Sequence, residues 1–461
     1  MSKSIKLLTA LLSIAAIVAA WGMFTTVSAR LESEQAQLLA RARSYMYRGF
    51  FDRAIPVFNE AMNLSPGTDP DILHQIAQAQ RGLERYRQYR SALQALIDER
   101  LLPSGMALSD LYLEAFYFDL DNRRLRYAIH TARSGWETTG SSYLLEYFEY
   151  HRYSFIQRRA AYQEAGVLFG GTAPVKQDYQ WGFVDARGMP LIFPQFDMVT
   201  RFIGNYAVVQ DEYELYIINR RGVMQASVPG RTFMADSIGS FDGTNFSIII
   251  RGGNPGYTLA SRRGIDIIIP EESAFAFIGI PSNDIRALQR TDGMWRLLDA
   301  SDRTPGVGSD FIYESIALDE TDRAAVNGRI FVKQNGQYHM INLAGERIGQ
   351  PFDEARPFFE AGGLAAVRSG DRWGLVNAGG DMVVGFKYED IRSSSFNLAA
   401  VQIDGLWGYI TVEDYPEHLR ERFFGRVVIE PQFDNAKQFV NGVAPVKNQH
   451  GWLYIALVEF D

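Results

Sequence analysis

Six histidines, at positions 74, 130, 151, 339, 418 and 450, are the first residues to test for metal or acid–base chemistry. No two stand at i, i+4 and no HExxH occurs, so the spacing that lets one helix face grip zinc is missing. There is no cysteine, which excludes disulfides, thiolate metal sites and a Cys nucleophile. A G-x-S-x-G elbow, a Walker A loop and a G-x-G-x-x-G following a strand are also missing. Asp119-Leu-Asp121 opens like a calcium loop, but the sixth position lacks Gly and the twelfth is His130. Asp197, Asp353 and Asp434 recur at one place in a repeated pattern. A ring of carboxylates could serve a metal or a general acid, but recurrence points to a turn cap that every copy needs. Catalysis requires a convergent, unique group, and a periodic residue is not unique. The sequence therefore offers no catalytic residue, no metal site and no cofactor.

Two kinds of element position these residues. From Leu38 the apolar spacing is helical. Ala42 and Ala54 are small enough for two antiparallel helices to touch, Gly49 permits the turn between them, and Pro66 stops the second helix. A looser unit follows, with Leu73 and Ala77 on its first helix, Gly82 and Tyr86 near the turn, and Leu93 and Leu96 on its second. Further amphipathic stretches run over 109–120, 122–133 and 142–165. The block 30–169 resembles a tetratricopeptide (TPR) array, whose period places small, aromatic and proline residues at these offsets. The resemblance implies a groove lined by the first helix of each hairpin, carrying Arg43, Tyr47, His74, Gln78 and Arg81 toward a protein partner. The alternative is that these are plain solvated helix faces.

From 170 to 461 the period changes to two. Short Ala-x-Val strands precede a turn, a Trp-Gly strand and then a third strand ending in Pro-x-Phe-Asp, as at 194–197 and 431–434. Asp185, Asn219, Asn342 and Asn377 stand in turns holding Gly188, Gly222, Gly345 and Gly379, the chemistry of a hairpin. Aromatic residues at 181, 216, 257, 295, 338, 373, 407 and 452 mark seven intervals of 34 to 45 residues and a partial eighth copy. Trp181-Gly182, Trp373-Gly374 and Trp407-Gly408, with the Gly-x-Ala-x-Val elements, resemble the WG-repeat proteins, a bacterial family of β-repeats. Copies over 213–345 have lost the Trp-Gly pair, and Trp452 is followed by Leu453. The expected fold is thus multidomain, α plus all-β: a TPR-like helical hairpin array followed by a WG-repeat β-domain closed into a seven-bladed β-propeller, with an open β-solenoid as the alternative. Residues 413–425 read as a short helical insertion, and the repeated tryptophans as blade-core residues rather than sugar platforms.

The segment 1–29 stands apart. Lys3 and Lys6 precede 23 uncharged residues, Leu7 to Ala29. At 1.5 Å per residue these span about 34 Å, enough for a bilayer core of roughly 30 Å. The charges place the N-terminus in the cytoplasm and the remainder outside, as a single-span membrane protein. The alternative is a signal peptide cleaved after Val27-Ser28-Ala29, leaving a secreted or periplasmic chain. The formal net charge of −8 excludes a nucleic-acid footprint. Its acidity lies in 170–461, with 27 basic and 37 acidic residues, whereas 30–169 balances 17 Arg against 17 acids. These observations lead to the expectation of a non-catalytic, membrane-anchored extracytoplasmic protein that binds protein partners of the bacterial cell envelope. Binding of cell-wall or other glycan is the alternative, and an enzyme the third reading.

Overall fold

The structure is a computed structural model. It describes residues 21, 25 and 28–460 apart from 213, 228–234, 242–244, 251–256, 262–263, 269–274, 280–281, 300–309, 311, 321 and 360–361. The chain divides into two compact units, Met1–His151 and Arg152–Asp461.

The first unit is a succession of antiparallel helices: α1 (28–47), α2 (Phe51–Asn63), α3 (Pro70–Gly82), α4 (Tyr86–Asp98), α5 (Leu108–Asp121), α6 (Leu125–Thr139) and α7 (Ser142–His151). Ala42 and Ala54 are fully buried against Phe58 and Ala61, as close packing of α1 on α2 requires. Gly49 takes φ 75° in the turn between them, a left-handed conformation open to glycine. Asp69 caps α3, its carboxylate accepting from the backbone N–H of Asp71 (2.9 Å) and Ile72 (3.1 Å), with Pro70 as the first helical residue. A second core gathers Ala77, Tyr89, Leu93, Leu96, Leu111 and Phe118 between α3, α4 and α5.

Two expectations are corrected here. The single membrane span with an extracytoplasmic remainder is not upheld, since among the described residues no helix is long and apolar enough to cross a membrane. The apolar stretch 7–29 lies outside the described residues except at 21, 25, 28 and 29. The helix that follows carries Arg30, Glu32, Glu34, Arg41 and Arg43, charges a bilayer core rejects, and it opens a helical array. The amphipathic stretch 142–165 is also not one helix. It stops at His151, and Phe155–Gln157 and Glu164–Ala165 are strands of the second unit, so that unit begins well before 170.

The second unit is a ring of small antiparallel sheets. Eight sheets occur among the described residues, seven with four strands and one with three. In chain order they begin with the strands Glu164–Ala165, Met198–Val199, Ala235–Phe241, Phe275–Ile278, Ser315–Ile316, Glu354–Ala355, Asp390–Ile391 and Asn435–Ala436. Shared cores join successive sheets. Phe183, Phe202 and Ile218 bridge the first and second, Ile285 and Ile341 the fourth and fifth, Phe331 and Val376 the fifth and sixth, and Leu375 and Ile410 the sixth and seventh. Tyr409 and Ile455 then join the seventh to the eighth, and Tyr454 and Val175 join the eighth back to the first. The ring is therefore a closed β-propeller and not an open solenoid. The partial eighth copy read from the sequence is a full sheet: Phe155–Gln157 supplies its fourth strand, Phe155 opposite Leu457 and Gln157 opposite Ile455. The expected insertion in the seventh sheet is a helix, α8 (Glu417–Phe423).

Candidate functional sites

The five residues expected to line a helical groove fall on α1 and α3. His74, Gln78 and Arg81 lie one and nearly two turns apart on α3 and so share a face. His74 and Gln78 meet at Glu114 of α5, which sequence reasoning missed. His74 Nε2 donates to Glu114 Oε2 at 2.8 Å, Tyr89 Oη donates to Oε1 at 2.7 Å, and the Gln78 amide donates to the same Oε1. Burial pushes the Glu114 carboxyl up, but the hydrogen bonds from His74, Tyr89 and Gln78 prevail and hold it below its ordinary range. Arg81 adjoins this network, its guanidinium 5.7 Å from the Tyr89 ring centre. Arg43 adds positive potential at Asp71, whose carboxyl is lowered chiefly by the Ser104 hydroxyl, 2.6 Å away. Tyr47 stands apart at the end of α1, 95% exposed. The signal for Glu114 was a lone carboxylate between Leu113 and Ala115 in an otherwise apolar stretch. Asp119, considered for calcium, is fully buried within α5 and ion-paired with Arg90 (3.0 Å) and Arg124 (3.5 Å). Among the described residues no cluster could hold a metal ion.

The second site lies in the propeller. Side chains that follow the first strands of the fifth to eighth sheets line one cavity of about 380 Å³. Because four successive sheets contribute, the cavity sits where the first strands converge, in the central channel. A repeated cation supplies its polarity: Arg356, Arg392 and Lys437 occupy equivalent places, in Glu354-Ala-Arg356, Asp390-Ile-Arg392 and Asn435-Ala-Lys437. Each lies over the repeated tryptophan of its own sheet. The distances to the ring centres are 4.1 Å (Arg356–Trp373), 4.9 Å (Arg392–Trp407) and 5.1 Å (Lys437–Trp452). Two of them also reach into the next sheet. Arg356 grips Asp390 in a fork of 2.6 and 3.2 Å, and Arg392 Nη2 donates to Asn435 Oδ1 at 3.3 Å.

An extra segment enters this channel from the fifth sheet. Eight residues separate Ala317 from Val326 where two separate Lys437 from Val440 in the eighth sheet, although both stretches end in the same Asn-Gly turn. The added residues carry Asp319, Glu320 and Arg323. Glu320 is ion-paired with Arg201 of the second sheet, and Arg323 holds Asp319 at 2.7 Å while lying 5.8 Å from the Phe169 ring of the first.

Two of the three recurrent aspartates, Asp197 and Asp353, are turn caps. Asp197 accepts from Glu212 N and Asp353 from Gly370 N, both at 2.7 Å, at the hairpin between the next two strands. Glu389 and Glu314 do the same at Gly405 and Gly336. Asp185 and Asn377 close the following turn, each accepting two backbone N–H bonds of 2.9 Å.

With this geometry in place, comparison with known proteins identifies the WG containing repeat at three places, residues 181–213, 373–407 and 424–451. The chain carries that repeat, and its N-terminal unit is consistent with a TPR-like array. Among solved structures the chain is similar to BamB from Moraxella catarrhalis, with 11% identity and a TM-score of 0.38 over 66% of this chain and 98% of that one. It is also similar to the computationally designed Ika8 protein, with 10% identity and a TM-score of 0.40 over 67% and 99%. A third similarity is to the TPR2AB-domain:pHSP90 complex of yeast Sti1, with 17% identity and a TM-score of 0.22 over 25% and 45%. No match is found among curated proteins.

Proposed function

We propose that the protein is a non-catalytic scaffold that binds a protein partner through the helical groove on α1, α3 and α5. The observation that supports this reading is the Glu114 network. A buried carboxylate fixes His74 and Gln78 on the face of α3 that also bears Arg81, which removes much of the side-chain entropy a partner would otherwise have to quench. Arg43 and Arg81 give the groove a basic character suited to an acidic segment of the partner. The test is capture from extract of the source cells by the full chain and by its Arg43→Ala/Arg81→Ala variant. A partner enriched by the parent and depleted at least tenfold by the variant supports the groove. Equal capture by both moves binding elsewhere and ends this reading. Glycan binding is less well supported, because it needs an open aromatic row. Trp407 is 3% exposed, and Trp181, Trp373 and Trp452 are roofed by Lys176, Arg356 and Lys437.

A further inference from the structure

We propose that the axial cavity of the propeller binds a small organic anion, its oxyanion head held between Arg392 and Lys437 and its apolar body lying along Leu318, Pro357 and Phe358. The argument begins with the charges around the channel. Three carboxylates are present and each has its own cation: Asp319 has Arg323, Glu320 has Arg201, and Asp390 has Arg356. Glu164, the next acid along the ring, is taken by Lys176 at 3.0 Å. Arg392 and Lys437 are left over. Among the described residues neither has a carboxylate within ion-pair distance.

Both are partly withdrawn from water. Burial is the largest influence on each, pushing the Lys437 ammonium and the Arg392 guanidinium below their ordinary ranges. Glu320 attracts both from a distance, while the Arg356 guanidinium repels Arg392. Arg392 Nε is buried with no hydrogen-bond partner, and its Nη2 has the neutral Asn435 amide. The tryptophan faces beneath the two cations offer electrostatic attraction but no hydrogen-bond acceptor. Buried cations are costly unless paired, and an unsatisfied buried donor adds to the cost. An incoming oxyanion answers both needs, accepting charge-assisted bonds from donors already held in place by Trp407 and Trp452.

The size and lining of the cavity fit a small molecule better than a bare ion. A volume of about 380 Å³ is within the range of small-ligand pockets. Phe358 is 1% exposed, so this wall is fixed by packing and apolar.

The test uses the full chain with phenylacetate and inorganic phosphate as probes, at ionic strength held constant with KCl. Binding is read by calorimetry and by tryptophan fluorescence, since Trp407 and Trp452 lie directly beneath the two cations. Saturable binding of phenylacetate with half-saturation below about 1 mM is expected. Arg392→Gln and Lys437→Met should each weaken it at least tenfold, and Lys437→Arg should restore most of it, while Arg221→Gln on an exposed turn leaves it unchanged. Circular dichroism and thermal midpoints establish that the variants are folded. Were Arg392→Gln not to fold, the contrast between Lys437→Met and Lys437→Arg would still decide. Binding of phosphate but not phenylacetate overturns the apolar part of the site. No saturable binding of either probe, or binding that survives Lys437→Met, overturns the whole.

Discussion

At Gly182, Gly374 and Gly408 a β-carbon would stand closer than 3.0 Å to a backbone carbonyl of the neighbouring strand, at Ile192, Val384 and Ile429 respectively. None of the three has a positive φ, so the requirement is close approach of two backbones and not unusual dihedrals. The ladder slips by a bulge at each of these places. In these three sheets the glycine of the Trp-Gly pair leaves room for the bulged third strand, whereas the fifth sheet keeps the same slip with His339 at that place. In the eighth sheet that strand is replaced by Phe155–Gln157, which pairs without a bulge, and there Leu453 is accommodated. Gly408→Ala should destabilise the fold by about 1–3 kcal/mol, whereas Gly385→Ala, where a methyl group would meet nothing within 4 Å, should be neutral or slightly stabilising. Urea unfolding of the pair checks this. A second residue-level expectation concerns pH. The folded Glu114 carboxyl titrates below its unfolded value of 4.5, so it contributes stability that is complete above 4.5 and is lost as pH falls through the folded value. Glu114→Gln should therefore be less stable at pH 7 and show a shallower loss on acidification between pH 5 and the folded value. Equal slopes for the two proteins would refute the assignment.

Among the elements, the first helical hairpin depends on small side chains. Ala42 and Ala54 are both 0% exposed, and Ala54→Leu should cost about 1–3 kcal/mol, seen as a lower thermal midpoint. The segment inserted after Ala317 contributes differently, since Glu320 neutralises Arg201, whose side chain is only 13% exposed. Glu320→Gln should destabilise by about 1–3 kcal/mol, discounted from the fully buried case because Glu320 is 35% exposed, and Arg201→Gln should recover part of the loss in the double variant. The hairpin turns and carboxylate caps were legible because their chemistry is local: an Asp or Asn followed by Gly suffices. The TPR-like pairs were legible from Ala42, Gly49 and Ala54 for the same reason. Glu114 was not, because its partners His74 and Tyr89 come from two other helices. Arg356, Arg392 and Lys437 are as periodic as the aspartates, but periodicity alone does not tell which repeated positions face the channel. The break at His151 was hidden because the amphipathic spacing of 142–165 runs on through residues that pair as strands.

For the whole molecule, the seven intervals and partial eighth copy become eight sheets because the chain supplies the missing strand from before the first repeat. That strand is only three residues long, Phe155–Gln157, and lacks any repeat signature, so no pattern in the sequence marks it. Its pairing with Gly451–Leu457 closes the ring, and Arg158 N continues the contact to Tyr454 O at 2.8 Å. Ile156→Pro removes a ladder donor and should lower stability by about 1–3 kcal/mol. Hydrogen exchange should quicken first in Gly451–Leu457 and its neighbour Val443–Asn448. Uniform acceleration around the ring would argue against a local closure.

The same closure bears on how the protein is made. Phe155–Gln157 leaves the ribosome some 300 residues before its partner Gly451–Leu457 does, so the ring cannot shut while the chain is still growing. Until then the first sheet and the most recent one each present an open edge, the kind of surface that pairs with other chains and attracts proteases. A product that stops short of Leu457 would keep both edges open. Ring closure thus has to wait for both Phe155–Gln157 and Gly451–Leu457.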